Sequence, residues 1–256
     1  MHLPAFEIIA HRGGSLEAPE NTLQAIEHGI AVGSDWQEID VTLTCDGHAV
    51  VIHDDTLERT TDGSGSVSDH TLAYLTALHA GQPVPSHRTC ERLKSLGIPI
   101  PDFGRRFLEA TVPSLDDILA NPNAHLMIEI KSHTDVARLA SAVVACIHRH
   151  DAQSRVAVGS FQYDMVEEVH RLDPLLKLVA IMDSLEPLPM FLSLPISRFA
   201  VSTMIAADVV KHVPSHIPVW SWTVYRPEDV PALVLSGVRG IITDAPQAVI
   251  SAFRPC

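Results

Sequence analysis

Residues 36–42 read Trp-Gln-Glu-Ile-Asp-Val-Thr, an apolar and β-branched run that includes two carboxylates. Such a run predicts a buried β-strand. Successive side chains of a strand point to opposite faces, so Glu38 and Asp40 share one face. Burying ionisable groups is costly unless they are paired or bind a metal, so this strand is expected to end at a polar site.

The same kind of run recurs along the chain, with amphipathic segments such as residues 136–150 and 163–172 between the runs. The predicted strands are Phe6 to His11, Trp36 to Thr42, Leu126 to Lys131, Val156 to Phe161, Leu178 to Met182, Phe199 to Ser202, Val219 to Val224 and Gly240 to Thr243. This β-then-α order indicates a parallel sheet with helices outside, and eight such units have the size of a (β/α)8 TIM barrel. A doubly wound open sheet is the alternative, but no GxGxxG turn follows the first strand.

One connection interrupts the alternation. Residues 45–48, Cys-Asp-Gly-His, form a turn signal, and residues 49–53 are predicted to return as the second strand of a hairpin. From about 57 to 112 the sequence is polar, with weak helices at 71–80 and 90–96. So long an insertion after the second strand is expected to cover the mouth of the site. The whole chain, 1–256, is interpreted as a single barrel domain.

Composition limits the partners. The chain has 31 acidic and 18 basic residues, a net charge of -13, which disfavours nucleic acid and anionic membrane surfaces. No apolar run is long enough to span a bilayer, so no stable membrane insertion is expected. The four cysteines are far apart, which favours reduced thiols and a cytoplasmic location. The oligomeric state is left open.

Three carboxylates on two strands, Glu38, Asp40 and Glu129, are expected to converge at the barrel mouth. Carboxylates that close repel one another unless a cation with a preference for oxygen ligands, Mg2+ or Ca2+, lies among them. The alternative is a structural ion-pair network that uses Arg12 and Lys131.

Two histidines, His11 and His53, each end an apolar β run. A pair of imidazoles near a metal can supply one general base and one general acid at neutral pH. Asp54 either caps the next turn or orients an imidazole. Arg12 and Lys131 are suited to hold phosphate oxygens.

Taken together, these motifs resemble the signature of the glycerophosphodiester phosphodiesterases. The segments that carry the resemblance are residues 11–14 (HRGG), 19–22 (PENT), 38–41 (EIDV), 46–47 (DG), 51–54 (VIHD), 57–61 (LERTT), 112–115 (VPSL), 128–131 (IEIK), 160–161 (SF), 222–224 (WTV) and 240–244 (GIITD). They follow one another over nearly the whole chain, which makes the resemblance specific although each segment alone is weak.

The resemblance implies a metal-dependent TIM-barrel enzyme that hydrolyses glycerophosphodiesters, for example glycerophosphocholine and glycerophosphoethanolamine, to sn-glycerol 3-phosphate and an alcohol. The implied roles are acid-base catalysis by His11 and His53, metal binding by Glu38, Asp40 and Glu129, and phosphate binding by Arg12 and Lys131. Trp222 is either an inner barrel aromatic or an apolar wall against the glycerol. The divalent metal is Mg2+ or Ca2+.

Some positions stay open within the resemblance. Glu20 can hydrogen-bond the turn at residues 11–13 and Asn21 can cap the first helix, and for this pair a structural role and a site-supporting role are equally open. Tyr225 stands where relatives usually have Asn after Trp-Thr-Val, and the insertion also diverges. The preference for a leaving group is therefore not predicted.

Two rival functions remain. One is a lysophospholipase D-like or phosphatidylinositol phospholipase C-like barrel enzyme, which would need an apolar or basic rim to meet lipid. The other is a catalytically silent barrel that binds a metal or a phosphorylated metabolite. The presence of both His11 and His53 favours an enzyme.

Overall fold

The computed structural model describes residues 3–81, 85–103 and 106–254. Its strands are β1 (Glu7–Ala10), β2 (Trp36–Leu43), β3 (Ala49–Val51), β4 (Leu126–Ile130), β5 (Val156–Ser160), β6 (Lys177–Met182), β7 (Ile196–Ser202), β8 (Val219–Val224) and β9 (Gly240–Thr243). Its helices are α1 (Leu23–Val32), α2 (Leu72–Leu75), α3 (His87–Leu96), α4 (Leu115–Leu119), α5 (Val136–Arg149), α6 (Tyr163–Leu172), α7 (Leu188–Phe191), α8 (Ala206–His212), α9 (Val230–Leu235) and α10 (Pro246–Phe253). Among the described helices, none has the length and apolar character needed to cross a membrane.

Eight of the strands form a closed parallel barrel. Hydrogen bonding follows the order β1-β9-β8-β7-β6-β5-β4-β2, and β2 pairs with β1 to close the ring. The predicted (β/α)8 barrel is therefore confirmed, and an open doubly wound sheet is excluded. β3 pairs antiparallel with β2, as the turn signal predicts, but it ends at Val51, so His53 lies just beyond the strand.

The amino-terminal end of the barrel is closed by packing. Glu7 accepts hydrogen bonds from the indole nitrogens of Trp36 and Trp220 at 3.0 and 2.9 Å. The Arg198 guanidinium lies over both indole rings, 4.7 and 4.5 Å from their centroids. This packing fills the amino-terminal end of the barrel, so we expect the active site at the carboxyl ends of the strands, where TIM barrels carry it.

The insertion has a small apolar core of its own. Leu57, Val67, Leu75 and Val112 pack with Val50 and Ile52 beside β3. The predicted helix at 71–80 is reduced to α2, which ends at Leu75, and the predicted helix at 90–96 extends back to His87 in α3. Ser86 caps α3 by accepting a hydrogen bond from the Thr89 amide, which explains the earlier start.

Candidate active site

The first histidine belongs to a short 3-10 turn, His11–Gly13, directly after β1. Its Nδ1 lies 2.5 Å from Oδ1 of Asp244, which follows β9. The register of β1 and β9 pairs Ala10 with Thr243, so the two side chains start from adjacent strand ends. Burial lowers the pKa of His11, but Asp244 and Glu38 outweigh that effect and the pKa is raised.

The second histidine is held in a similar way by a neighbour in sequence. Nδ1 of His53 lies 2.6 Å from Oδ1 of Asp54. Arg59 in turn donates hydrogen bonds from Nε and Nη2 to Asp54, at 2.5 and 2.9 Å. Of the two open interpretations of Asp54, this contact supports the one in which it orients an imidazole.

The three predicted acidic residues do meet. One oxygen each of Glu38, Asp40 and Glu129 lies within 4.8 Å of the others. The register of β2 and β4 places Asp40 opposite Glu129, and strand alternation puts Glu38 on the same face as Asp40. These residues could hold a divalent metal.

The electrostatics of the cluster fit a cation. Burial and the neighbouring Asp40 raise the pKa of Glu38 to about 8, and its Oε1 is buried with no hydrogen-bond partner among the described residues. Burial also opposes ionisation of Asp40, but Lys131 and Arg12 hold its pKa well below the usual range. An ionised Glu38 therefore needs further positive charge, and hard oxygen ligands of this kind are what Mg2+ and Ca2+ bind.

Both predicted phosphate-binding cations contact this cluster. Lys131 Nζ lies 2.6 Å from Glu129 Oε1 and 3.3 Å from Asp40 Oδ1. Arg12 Nε lies 3.1 Å from Asp40 Oδ2, and Arg12 Nη1 donates to Glu20 Oε1 at 2.9 Å. The contact with Glu20 confirms the expectation that this residue hydrogen-bonds the turn after β1.

Asn21 is not the cap of α1. Thr22 accepts the capping hydrogen bond from the Ala25 amide, and Asn21 has a left-handed backbone with φ +60°. Its side chain donates to Asp40 Oδ2 at 2.9 Å and accepts from the Asp40 amide at 3.1 Å. The supporting role for Asn21 is the one observed, because it fixes the orientation of a carboxylate in the acidic cluster.

The sequence interpretation missed two supporting residues, Asp244 and Arg59. Arg59 donates to both oxygens of Glu20, at 2.7 and 2.8 Å, as well as to Asp54. Glu20 thus joins the side chains of Arg12 and Arg59. Arg59 lies in the motif segment 57–61 and Asp244 in the segment 240–244, so the motifs point to both residues. Their contacts become visible only in the fold.

Two cavities that share part of their lining lie at this end of the barrel. The inner one, about 130 Å³, is lined by Glu38, Glu129 and Lys131, and the outer one, about 680 Å³, is bounded partly by the insertion. His11, Arg12, His53, Trp222 and Thr223 line both.

Trp222 lies in β8, where it faces both the apolar interior of the barrel and the cavities. It packs against the apolar interior of the barrel and meets Phe161 edge-to-face at 5.7 Å. It also forms part of both cavity walls. Tyr225 lines the outer cavity only, and burial and Asp244 raise its pKa to about 12.

Comparisons with known proteins agree with the motif resemblance. The glycerophosphoryl diester phosphodiesterase family matches residues 11–248. A glycerophosphodiester phosphodiesterase of Caldanaerobacter subterraneus subsp. tengcongensis is 31% identical, over 96% of this chain and 97% of its own. A glycerophosphodiester phosphodiesterase of Bacillus subtilis is 28% identical, over 93% of this chain and 83% of its own.

Among solved structures, an Oleispira antarctica phosphodiesterase in complex with the product sn-glycerol-3-phosphate superposes with a TM-score of 0.82. It is 26% identical, and the match covers 98% of this chain and 96% of that one. The family match spans nearly all of the barrel together with both histidine turns and the acidic cluster. This chain therefore belongs to the glycerophosphoryl diester phosphodiesterase family.

Proposed function

We propose that this protein hydrolyses small glycerophosphodiesters, such as glycerophosphocholine and glycerophosphoethanolamine, to sn-glycerol 3-phosphate and an alcohol. The observation that carries the proposal is the arrangement of two imidazoles, His11 and His53. Each is hydrogen-bonded through Nδ1 to an aspartate, and each lines the inner cavity together with Glu38 and Glu129. The product named in the Oleispira antarctica complex supports the same reaction.

In the proposed reaction one histidine removes a proton from the nucleophile, which is either water or the glycerol 2-hydroxyl. The nucleophile forms a new bond to phosphorus, the bond from phosphorus to the leaving alcohol breaks, and the other histidine protonates the departing oxygen. If the 2-hydroxyl attacks, this step yields a cyclic phosphodiester, and a water then bonds to phosphorus while the bond to the 2-oxygen breaks and that oxygen is protonated. Either route therefore consumes one water and gives sn-glycerol 3-phosphate. Because Nδ1 of each imidazole faces an aspartate, Nε2 is the nitrogen available for these transfers.

Glu38, Asp40 and Glu129 would hold a divalent cation, Mg2+ or Ca2+, which supplies Lewis-acid polarisation of a phosphate oxygen when it is bound. Arg12 and Lys131 offer donors to the phosphate from the cavity walls. Their existing contacts with Asp40 and Glu129 keep them close to the place where phosphate charge would enter. The apolar face of Trp222 would pack against the glycerol carbons.

The proposal is tested by measuring sn-glycerol 3-phosphate release from both named diesters. His11→Ala and His53→Ala should each lower kcat by about 100-fold or more, because each removes one proton transfer. His216→Ala is the matched control, since His216 is exposed, precedes β8 at the amino-terminal end of the barrel and lines neither cavity. Near-normal turnover by both active-site variants would contradict the assignment.

We also place the reaction in the cytoplasm. The cysteines at positions 45, 90 and 146 are free thiols, and Cys256 lies outside the described residues. Free thiols suit a reducing compartment, where small-molecule diesters are the expected partners. Immunoblotting of separated cell fractions tests the location, and recovery outside the cytoplasmic fraction would overturn it.

A further inference from the structure

The two cavities offer separate places for the two groups that a phosphodiester joins. The inner cavity, about 130 Å³, is much smaller than the outer one, about 680 Å³, so the small glycerol group is assigned to the inner cavity and the variable alcohol to the outer one. His11, Arg12 and His53 line both cavities, so the reacting phosphate belongs at their junction. The leaving alcohol is then directed into the outer cavity.

Two elements form the part of the outer cavity wall that differs in charge from the rest. Ser86, Thr89 and Arg92 line it from α3 and its cap, and Tyr225 lines it from the end of β8. Thr89 and Tyr225 line the same cavity, so α3 and the end of β8 face one space. The insertion thus lines the outer cavity but contributes no described residue to the inner cavity, where Glu38 and Glu129 lie.

The charge on this wall is positive. Arg92 is exposed, and no carboxylate pairs with its guanidinium within the part of the chain that the structure describes. The two acidic residues that line the same cavity are already paired, Glu20 with two arginines and Asp244 with His11. A cationic leaving group would therefore meet an unpaired guanidinium and no available carboxylate.

We propose that Arg92 determines the leaving-group preference and selects glycerophosphodiesters whose alcohol carries a carboxylate or a phosphate. The inference rests on the proposed function and specifies its substrate class. A guanidinium presents paired donors that match such anions, whereas quaternary ammonium groups are bound by aromatic cages. Besides His11 and His53, the aromatic side chains that line the outer cavity among the described residues are Trp222 and Tyr225, which lie in β8 and directly after it.

Three substrates that differ mainly in charge test this selection. They are glycerophosphoethanolamine, its N-acetyl derivative and its N-succinyl derivative, whose leaving groups are cationic, neutral and anionic. The wild-type kcat/KM should be highest for the N-succinyl diester. Arg92→Gln should lower that value by about 5-fold, mainly through KM, and leave the N-acetyl value within about 2-fold, because an exposed charge contact has this order of effect.

Lys94→Gln is the matched control. It removes a cation from the same helix, and Lys94 is exposed, pairs with Glu91 and does not line the cavity. An equal loss for all three substrates in Arg92→Gln, no loss for any of them, or the same pattern in Lys94→Gln would each overturn the inference. Absence of turnover for every diester in the wild type would instead contradict the proposed function.

Discussion

Nδ1 of His11 lies 2.5 Å from Oδ1 of Asp244, although the two residues are 233 positions apart in the chain. The contact exists because β1 and β9 are neighbours in the closed barrel. Asp244 is only 2% exposed, so its charge is poorly screened by water. The last strand therefore orients the first histidine and raises its pKa.

Asp244→Asn should shift the pH dependence of catalysis. Because the native pKa of His11 is raised, removal of the charge should move the limb of the kcat/KM profile that reports His11 to lower pH, whether it acts as acid or base. We expect kcat to fall by about 10-fold or more. Asp173→Asn is the control, because Asp173 pairs with the exposed His148.

Asp244→Asn should also change how the stability of the protein depends on pH. A raised pKa in the folded state stabilises the protein fully below the unfolded value of about 6.5 and loses that effect as pH rises through the folded pKa. Asp244→Asn should therefore cost more stability at pH 6 than at pH 9, measured by urea unfolding. An unshifted pH profile together with a pH-independent loss would show that Asp244 only fills space.

Glu20→Gln tests the carboxylate that pairs with both Arg12 and Arg59. Glu20 is 8% exposed and pairs with Arg12 and Arg59, so its removal should destabilise the fold by about 3 kcal/mol at pH 7. Burial opposes the charged form of Glu20, but the arginines dominate and its pKa is lowered. The difference from wild type should hold above about pH 4.5 and shrink as pH falls.

Urea unfolding at pH 7 and pH 4 measures this difference. Glu168→Gln is the control, since Glu168 pairs with Arg171 on the surface and should have little effect. A Glu20 variant as stable as the wild type at pH 7 would show that Arg12 and Arg59 are held by their other partners alone.

Gly13→Ala tests the turn that positions His11. Gly13 has φ +82°, and an added Cβ would lie 2.5 Å from the backbone carbon of Ala25. Gly33 has a similar φ of +90° but nothing within 4 Å of its missing Cβ, so Gly33→Ala isolates the backbone cost of about 1 kcal/mol. Gly13→Ala should be clearly less stable in thermal unfolding. An equal loss of stability in the two variants would mean that α1 shifts to accommodate the added Cβ at little cost.

Much of this arrangement is predictable from the sequence because strand alternation is local. Two carboxylates spaced two residues apart, as in Glu38 and Asp40, must share a face once their run is a strand. The prediction that Glu129 joins them also holds, since parallel strand ends meet at one end of a barrel. Local pattern and overall topology agree at these positions.

The remaining side-chain contacts join residues whose proximity cannot be inferred from the local sequence pattern. Asn21 and Thr22 are both good helix caps, and the choice between them is made by Asp40, which draws the Asn21 side chain into the site. Arg59 lies in the insertion, yet it contacts Glu20 in the first β-α connection. Such pairings follow from the closure of the barrel and the return of β3 along β2.

Metal binding can be measured apart from turnover. Mg2+ or Ca2+ at about 100 times its Kd should stabilise the wild type by about 2.7 kcal/mol, seen as a higher Tm. Glu129→Gln should abolish that increase, because it removes one of three clustered carboxylates. Asp208→Asn, which changes an exposed carboxylate paired with Lys211, should retain it. A Glu129 variant that still responds fully would place the metal elsewhere.

Metal-dependent hydrolysis is tested by the release of sn-glycerol 3-phosphate by the purified wild type before chelation, after EDTA treatment, and after return of Mg2+ or Ca2+. We expect release before chelation, loss of release after it, and recovery with at least one of the two cations. Absence of release before chelation, or release unchanged by EDTA, would contradict metal-dependent hydrolysis.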